Sequence, residues 1–451
     1  MTVRAIAGLL VLNGSFAVLG LAWLYALRGL ERLTDVVRLA GLGYLVGVAA
    51  FGVVWIQLLI LGVPFGGVQL VLTILVGTAA GIVTGLALGR PFPARTPLAT
   101  PAPATLLVAA TGIALVGLLL EALFRAARLQ SLQAFDAWAF WVPKAKAIYF
   151  FGGLDEQIFT TAAGPTYPPL VPLLDAAAFH AMGGADTVTL HLQFWFLVLG
   201  VVAALAGTLA GHAPAWTVWP SLLAVLVVPR LGASLLTPQA DVLVDAFFVV
   251  AALLLALWLV DSRGWRLAAA AILLAGATLT KREGLLFAAI AVAAVLLASW
   301  STRRSTYLRV GAVALVVVAA AVPWRLWYRS RDLSGEAPGD LGLGTGLDRA
   351  ADAIRLSAEV LFEASLWSLV PFLLLGAIAI AVVWGERRLA LFFGTLVALV
   401  FLGGAWVTFS YADLAVTADE GLNPIVRYTG AIVVLAAAAM PLLVGTTRGK
   451  R

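Results

Sequence analysis

Residues Ala240–Trp300 read ADVLVDAFFVVAALLLALWLVDSRGWRLAAAAILLAGATLTKREGLLFAAIAVAAVLLASW. Three apolar runs, at 240–260, 266–280 and 284–300, are parted only by Asp261-Ser-Arg-Gly264 and Thr280-Lys-Arg-Glu-Gly284. An uncharged run of roughly 17–25 apolar residues crosses the hydrocarbon of a bilayer as a helix, because only a helix satisfies its own backbone there. Connections this short leave no room for a soluble domain between runs.

The same pattern continues in both directions. Comparable runs lie at about 5–27, 39–62, 67–89, 103–124, 188–210, 214–229, 310–328, 367–385, 389–409 and 427–446, which brings the expected count to about thirteen spans. Pro169–Met182 is apolar but short and carries Asp175, so it reads as a re-entrant or interfacial segment. Of the 451 residues 62% are hydrophobic and 12% charged, with a mean hydropathy of +1.03; no soluble core hides that much apolar surface. The chain is expected to be an all-α polytopic membrane protein. Met1–Leu27 has a weak basic start and no small-residue cleavage pattern, so it is expected to be a retained span. The proline-rich stretch Arg90–Pro103 divides residues 1–102, three leading helices of unassigned role, from a main module over 103–451; a merely rigid inner loop is the other reading of those prolines.

Composition also removes function classes. The chain has no cysteine, which excludes disulfides, thiolate metal sites and a cysteine nucleophile. His180, His191 and His212 are not spaced as metal ligands, and no HExxH, Walker lysine loop, GxSxG elbow or post-strand GxGxxG occurs. Gly342-Leu-Gly344-Thr-Gly346 has no strand before it and reads as a flexible loop. The net charge of +6 fits lipid phosphate and an anionic membrane surface, with no nucleic-acid partner.

With the amino terminus outside, the inner loops collect Arg28, Arg32, Arg38, Arg90, Arg95, Arg263, Arg266, Arg303, Arg304, Arg309, Arg387, Arg388, Arg448, Lys450 and Arg451 against Glu31, Asp35, Asp261 and Glu386. Positive residues concentrate on the cytoplasmic side of membrane proteins. Two long segments, about 126–187 and 329–366, then face outward, with most of the acids.

Polar residues in or beside apolar runs are costly and so mark candidate sites. Phe135-Asp136-Ala-Trp138-Ala-Phe-Trp141-Val-Pro-Lys144-Ala-Lys146 reads as a Trp-anchored helix in the outer interface, with Lys144 able to snorkel or meet phosphate. Asp136 is a candidate catalytic carboxylate or, alternatively, a helix cap or partner of Lys144. Tyr167-Pro168-Pro169-Leu-Val-Pro172 sets an extended entry into the membrane and, with Trp138, a pocket wall. Asp241 and Asp245, four apart, share a helical face and could share a ligand, although Asp241 after Pro238 could also be a cap. Glu121 is a weaker candidate of the same kind. Lys281 and Arg282 are cations pinned at the outer boundary, suited to a phosphate from the lipid side or, in the plainer reading, to a turn neutralised by Glu283. Arg427, after Asp413, Asp419 and Glu420, repeats the theme.

In order along the chain, Asp136 with Lys144-Ala-Lys146, Tyr167-Pro168-Pro169-Leu-Val-Pro172-Leu, Ala240-Asp241-Val-Leu-Val and Thr280-Lys281-Arg282-Glu283-Gly284 resemble the landmarks of bacterial GT-C glycosyltransferases. The nearest branch is that of protein O-mannosyltransferase and aminoarabinose transferase, and the resemblance covers about 120–446. It implies a GT-C-like fold and an inverting hexosyl- or pentosyltransferase. The sugar comes from a polyprenyl-phosphate donor and goes to an extracytoplasmic glycan, lipid or protein acceptor, at a bacterial plasma membrane. Asp136 matches the family's general base and Asp241 a second acid, both of which would hold a divalent metal if one is used. Lys281 matches the cation facing donor phosphate, with Arg282, Arg427 and Lys144 as further phosphate-binding candidates. The family often pairs two acids directly in the first outer loop; here Ala137 follows Asp136, and the next acids are Asp155 and Glu156. A transporter or lipid-linked-glycan flippase using Asp241, Asp245 and Glu121 is the main alternative, but the inverted repeats expected of one are not visible.

The orientation has a direct consequence. A reporter fused after Val444 should be cytoplasmic, and extracytoplasmic exposure of that reporter would overturn the assignment.

Overall fold

The protein, described here from a computed structural model, is defined over residues 2–95, 102–300, 304–333, 347–410 and 424–445. Pro97, Pro101, the Gly342–Gly346 segment, Asp413, Asp419, Glu420 and the chain after Gly445 lie outside the described residues. Among those described, all regular structure is helical and no strand occurs. The leading part holds α1 (Val3–Ala26), α2 (Leu33–Arg38), α3 (Ala40–Ile60) and α4 (Gly67–Ala87). After α5 (Pro103–Ala127), a π-helical turn (Ala137–Trp141) runs into α6 (Val142–Phe151), and α7 (Glu156–Thr161) and α8 (Leu170–Met182) complete the first long connection. There follow α9 (Thr187–Leu209), α10 (Ala215–Leu226), α11 (Pro229–Ser234), α12 (Ala240–Asp261), α13 (Gly264–Thr280) and α14 (Arg282–Ala298). The last third holds α15 (Arg304–Arg329), α16 (Leu347–Leu361), α17 (Ala364–Trp367), α18 (Val370–Trp384), α19 (Arg387–Ser410) and α20 (Pro424–Gly445).

Nine helices among the described residues are long and apolar enough to cross a membrane: α1, α3, α4, α5, α9, α12, α15, α19 and α20. The protein is therefore a polytopic integral membrane protein. Four of the expected spans are shorter. The run at 214–229 ends as the 12-residue α10, about 18 Å at 1.5 Å per residue, because Pro229 opens a new helix in another direction. The runs at 266–280 and 284–300 become α13 and α14, each of 17 residues, and the run at 367–385 becomes the 15-residue α18. A hydrophobic run marks where an apolar helix forms and does not fix where that helix ends.

Two of these short helices, α13 and α14, flank α12, which is buried without interruption from Leu243 to Leu259. It packs against α13, α14, α20, α9 and α3. By contrast, α4 and α5 leave most of their apolar surface uncovered, as helices facing lipid do. At the far end of α12, Arg388 donates to the carbonyls of Leu259 and Ala298 at 3.2 and 3.0 Å, satisfying the orphan acceptors that end α12 and α14. Arg266 does the same for Leu257, at 3.0 Å, and pairs with Asp261 at 2.7 Å.

The helix expected to lie in the interface is packed into the protein along one side. Trp141, Val142, Lys144, Ala145, Ala147 and Ile148 are buried, and α6 packs along α8. The Pro168-Pro169 entry is followed at once by regular helix, and α8 is buried from Leu170 to Phe179. Burial of both faces accounts for its apolar sequence. Asp186 caps α9: partial burial raises its pKa, but hydrogen bonds from Thr189 and Val188 outweigh that and hold it below the usual carboxylate range.

The leading helices are joined to the remainder by close packing and one polar knot. Asn13 donates to Gln193 Oε1 at 2.9 Å, and its own Oδ1 accepts from Gln193 Nε2 at 3.0 Å and from Tyr44 OH at 2.8 Å. All three side chains are buried, so α1, α3 and α9 have one register in which this network is satisfied. Between α1 and α3 a Cβ on Gly47 would stand 1.9 Å from the Phe16 carbonyl oxygen. Gly47→Ala should therefore push the helices apart and cost about 1–3 kcal/mol, read as a lower thermal unfolding midpoint in detergent. Gly14→Ala, with nothing within 4 Å, should leave the midpoint level or raise it.

Candidate functional site

The π-helical turn at Ala137–Trp141 widens the backbone just after Asp136, a local geometry frequent at functional sites. Asp136 already has helical dihedrals and its side chain makes no capping bond. Its Oδ2 instead accepts from Arg427 Nη2 at 2.7 Å, across 291 residues. Both plainer readings of Asp136, as a helix cap and as a partner of Lys144, thus give way to a tertiary ion pair with the first turn of α20.

Facing this pair, α12 begins with Asp241 and places Asp245 one turn deeper. Lys281 Nζ donates to Asp241 Oδ1 at 2.5 Å and stands 3.3 Å from Glu283 Oε1. Lys281 has extended backbone, φ −153° and ψ 159°, and is at once the end of α13 and the N-cap of α14. That single extended residue turns its side chain inward between two carboxylates. Burying an ammonium without them would be prohibitive.

Asp136, Arg230, Asp241, Asp245, Trp367 and Arg427 line one cavity of about 540 Å³. Pro229 at the start of α11 directs the chain so that Arg230 reaches the wall, and Trp367 is fixed by its indole N–H bond to the Val360 carbonyl at 2.9 Å. The cavity meets a narrower cleft of about 70 Å³ lined almost wholly by aliphatic side chains of α9, α10, α11, α12 and α20. Leu231, Ser234, Asp241 and Asp245 belong to both. A cavity lined by charged side chains therefore shares a wall with an apolar cleft inside a membrane protein.

The other expected site residues are placed elsewhere. Lys281, expected to face a donor phosphate, lies behind Asp241 with its side chain 2% exposed. Arg282 stacks over the Tyr167 ring at 5.3 Å and, with Thr166, Pro168 and Trp324, lines a separate small cavity of about 20 Å³. Pro168 thus walls that small cavity and not the large one, while Tyr167 lines neither and packs on Phe140 and Trp141. Trp138 is half exposed against Phe135. Lys144, expected to meet phosphate, is fully buried and donates to the carbonyls of Ala163 and Gly164 at 3.1 and 2.6 Å, where it holds the loop before Tyr167. Glu121 pairs with Arg125 on an exposed face. Asp155 caps α7 and Glu156 meets Arg331 at 3.2 Å, so neither forms an acid pair with Asp136.

Arg230 was not singled out by the sequence. Its signal, a lone arginine after proline at the close of an apolar run, is the one that marks Lys281. Asp136 and Asp241 are also the pair expected to hold a divalent metal, if one is used. Asp136 and Asp241 are each bonded to a cation, and no group of three potential ligands converges among the described residues. No family model, no curated protein and no solved structure matches the chain.

The ion cluster yields a stability test. Lys281→Met leaves Asp241 and Glu283 facing each other without their cation and should cost about 3 kcal/mol, the lower end for a buried pair because Asp241 opens onto the cavity. Adding Asp241→Asn should recover part of that loss, and strictly additive unfolding free energies would show that the two residues are not coupled.

Proposed function

We propose that the protein is a GT-C-like glycosyltransferase that moves a hexosyl or pentosyl group from a polyprenyl phosphate to an extracytoplasmic acceptor, with inversion. One observation carries this reading: the charged cavity holding Asp136, Arg230 and Arg427 shares a wall with an apolar cleft. A lipid-linked sugar has just that division, a polar head that stays wet and an isoprenoid tail that stays dry. The basic-residue asymmetry of the loops supports placing the Asp136 end outside the cytoplasm.

The chemistry needs one base and a place for leaving-group charge. Asp136 removes the proton from an acceptor hydroxyl as that oxygen bonds to the anomeric carbon. The bond from the anomeric carbon to the phosphate oxygen breaks at the same time, and its electron pair leaves on the polyprenyl phosphate. Arg427 and Arg230 meet that charge, a guanidinium being able to fork two oxygens. Before donor binds, Arg427 is committed to Asp136. An arriving phosphate competes for the same guanidinium and so releases the carboxylate to act as base. Lys281 holds Asp241 in place from behind.

Purified protein in lipid nanodiscs, given a panel of radiolabelled polyprenyl-phosphate hexoses and pentoses, should transfer at least one of them. Asp136→Asn should reduce turnover about 10²–10⁴-fold while bare polyprenyl phosphate binds as tightly as before or more tightly, since Arg427 is freed. Full turnover in Asp136→Asn would sink the assignment of the base, and failure of every donor would sink the reading.

A further inference from the structure

The charges on the cavity wall do not balance by pairs. Asp136 is held by Arg427 at 2.7 Å and Asp241 by Lys281 at 2.5 Å, with Glu283 also on Lys281. Asp245 makes no hydrogen bond or ion pair with any described residue, although it is 93% buried by its 7% exposure. It stands in the buried stretch of α12 and lines both the cavity and the apolar cleft, while Lys281 behind it is bonded to Asp241 and stands beside Glu283. A carboxyl group left without a partner inside a membrane protein is costly and persists where something outside the chain uses it.

The wall opposite narrows what that partner is. The cations of the cavity, Arg230 and Arg427, come from α11 and α20; of the acids lining it, Asp136 is bonded to Arg427, whereas Asp241 and Asp245 come from α12. A phosphate is drawn to the arginines, so the portion of a bound head group left to meet Asp245 is its hydroxyl-bearing portion. A carboxyl group has two oxygens and takes hydroxyl donors well. Gly430 leaves room for this: a Cβ there would stand 3.6 Å from Asp245 Oδ2 and 3.9 Å from Trp367 Cη2. The glycine therefore keeps open the space directly over the acid.

We propose that Asp245 is a specificity-determining residue that hydrogen-bonds hydroxyl groups of the transferred sugar, and that Gly430 keeps the approach to it clear. This rests on the glycosyltransferase reading. A site built around such a bond discriminates strongly against ligands that lack the hydroxyl, because its own buried group is then left unpaired.

The test compares two probes, polyprenyl phosphate and its hexose or pentose conjugate, by binding to the full-length protein in nanodiscs. Asp245→Leu should weaken the glycosylated lipid roughly 10- to 100-fold and leave bare polyprenyl phosphate unchanged, with Asp245→Asn intermediate. Gly430→Ala makes only ordinary contacts, so it folds; it should weaken the glycosylated lipid selectively and carries the test if Asp245→Leu does not fold. A second readout separates ligand recognition from a structural role. Removing an unpaired buried acid should leave the unfolding midpoint of Asp245→Leu level or higher, whereas a structural acid would lower it. Equal effects on both lipids, no effect on either, or a lowered midpoint without loss of selectivity would overturn the proposal. Wild-type protein that binds bare polyprenyl phosphate and no conjugate would overturn it while leaving the lipid site standing. Wild-type protein that binds neither lipid would remove the glycosyltransferase reading and this assignment with it.

Discussion

Lys281 is the residue on which the site end of the molecule depends. An extended residue between two buried helices exposes carbonyl and amide groups that lipid cannot satisfy, so such a break survives only where protein surrounds it. Here the break is enclosed by α12, and the ammonium it turns inward is bonded to Asp241 on that helix and stands beside Glu283 on the next. The same bond sets the depth at which α12 begins relative to α13 and α14. Neither ion would tolerate that position alone, and together they define the back wall of the cavity.

Around this wall the other irregular segments gather. The turn from α10 into α11 at Pro229, the positive φ of 55° at Ser368 after α17 and the π-helical turn after Asp136 all interrupt regular helix near one place. Each interruption subtracts backbone from the bundle, and the space left is the cavity. Of the long helices, α12 and α20 line it, whereas α4 and α5 face outward with largely uncovered apolar surfaces, and α1 and α3 are locked to α9 by the Asn13, Gln193 and Tyr44 network.

The two ion pairs differ in what they offer to chemistry. Lys281 is buried behind Asp241 and is in effect part of the scaffold. Arg427 and Asp136 both line the cavity, so their pair can be traded for a ligand, and in the proposed reaction that exchange couples donor arrival to release of the base. A metal ion would have to displace a cation already bonded to each of these carboxylates.

Composition and hydrophobic runs alone determined that the chain is helical and membrane-embedded, because apolar length is a local property that any bilayer reads in the same way. They also marked Asp136, Asp241, Lys281 and Arg427, since a charged side chain next to an apolar run is conspicuous wherever it points. What the tertiary structure alone decided was partnership. Arg427 meets Asp136 from 291 residues away and Lys281 meets Asp241 from 40 residues away, and no spacing rule encodes contacts between separate helices. The same limit explains why Lys144, Arg282, Tyr167 and Pro168 looked like cavity residues and Arg230 did not. Periodicity reports which residues share a face of one helix, whereas the neighbour that face meets is set by how all the helices pack.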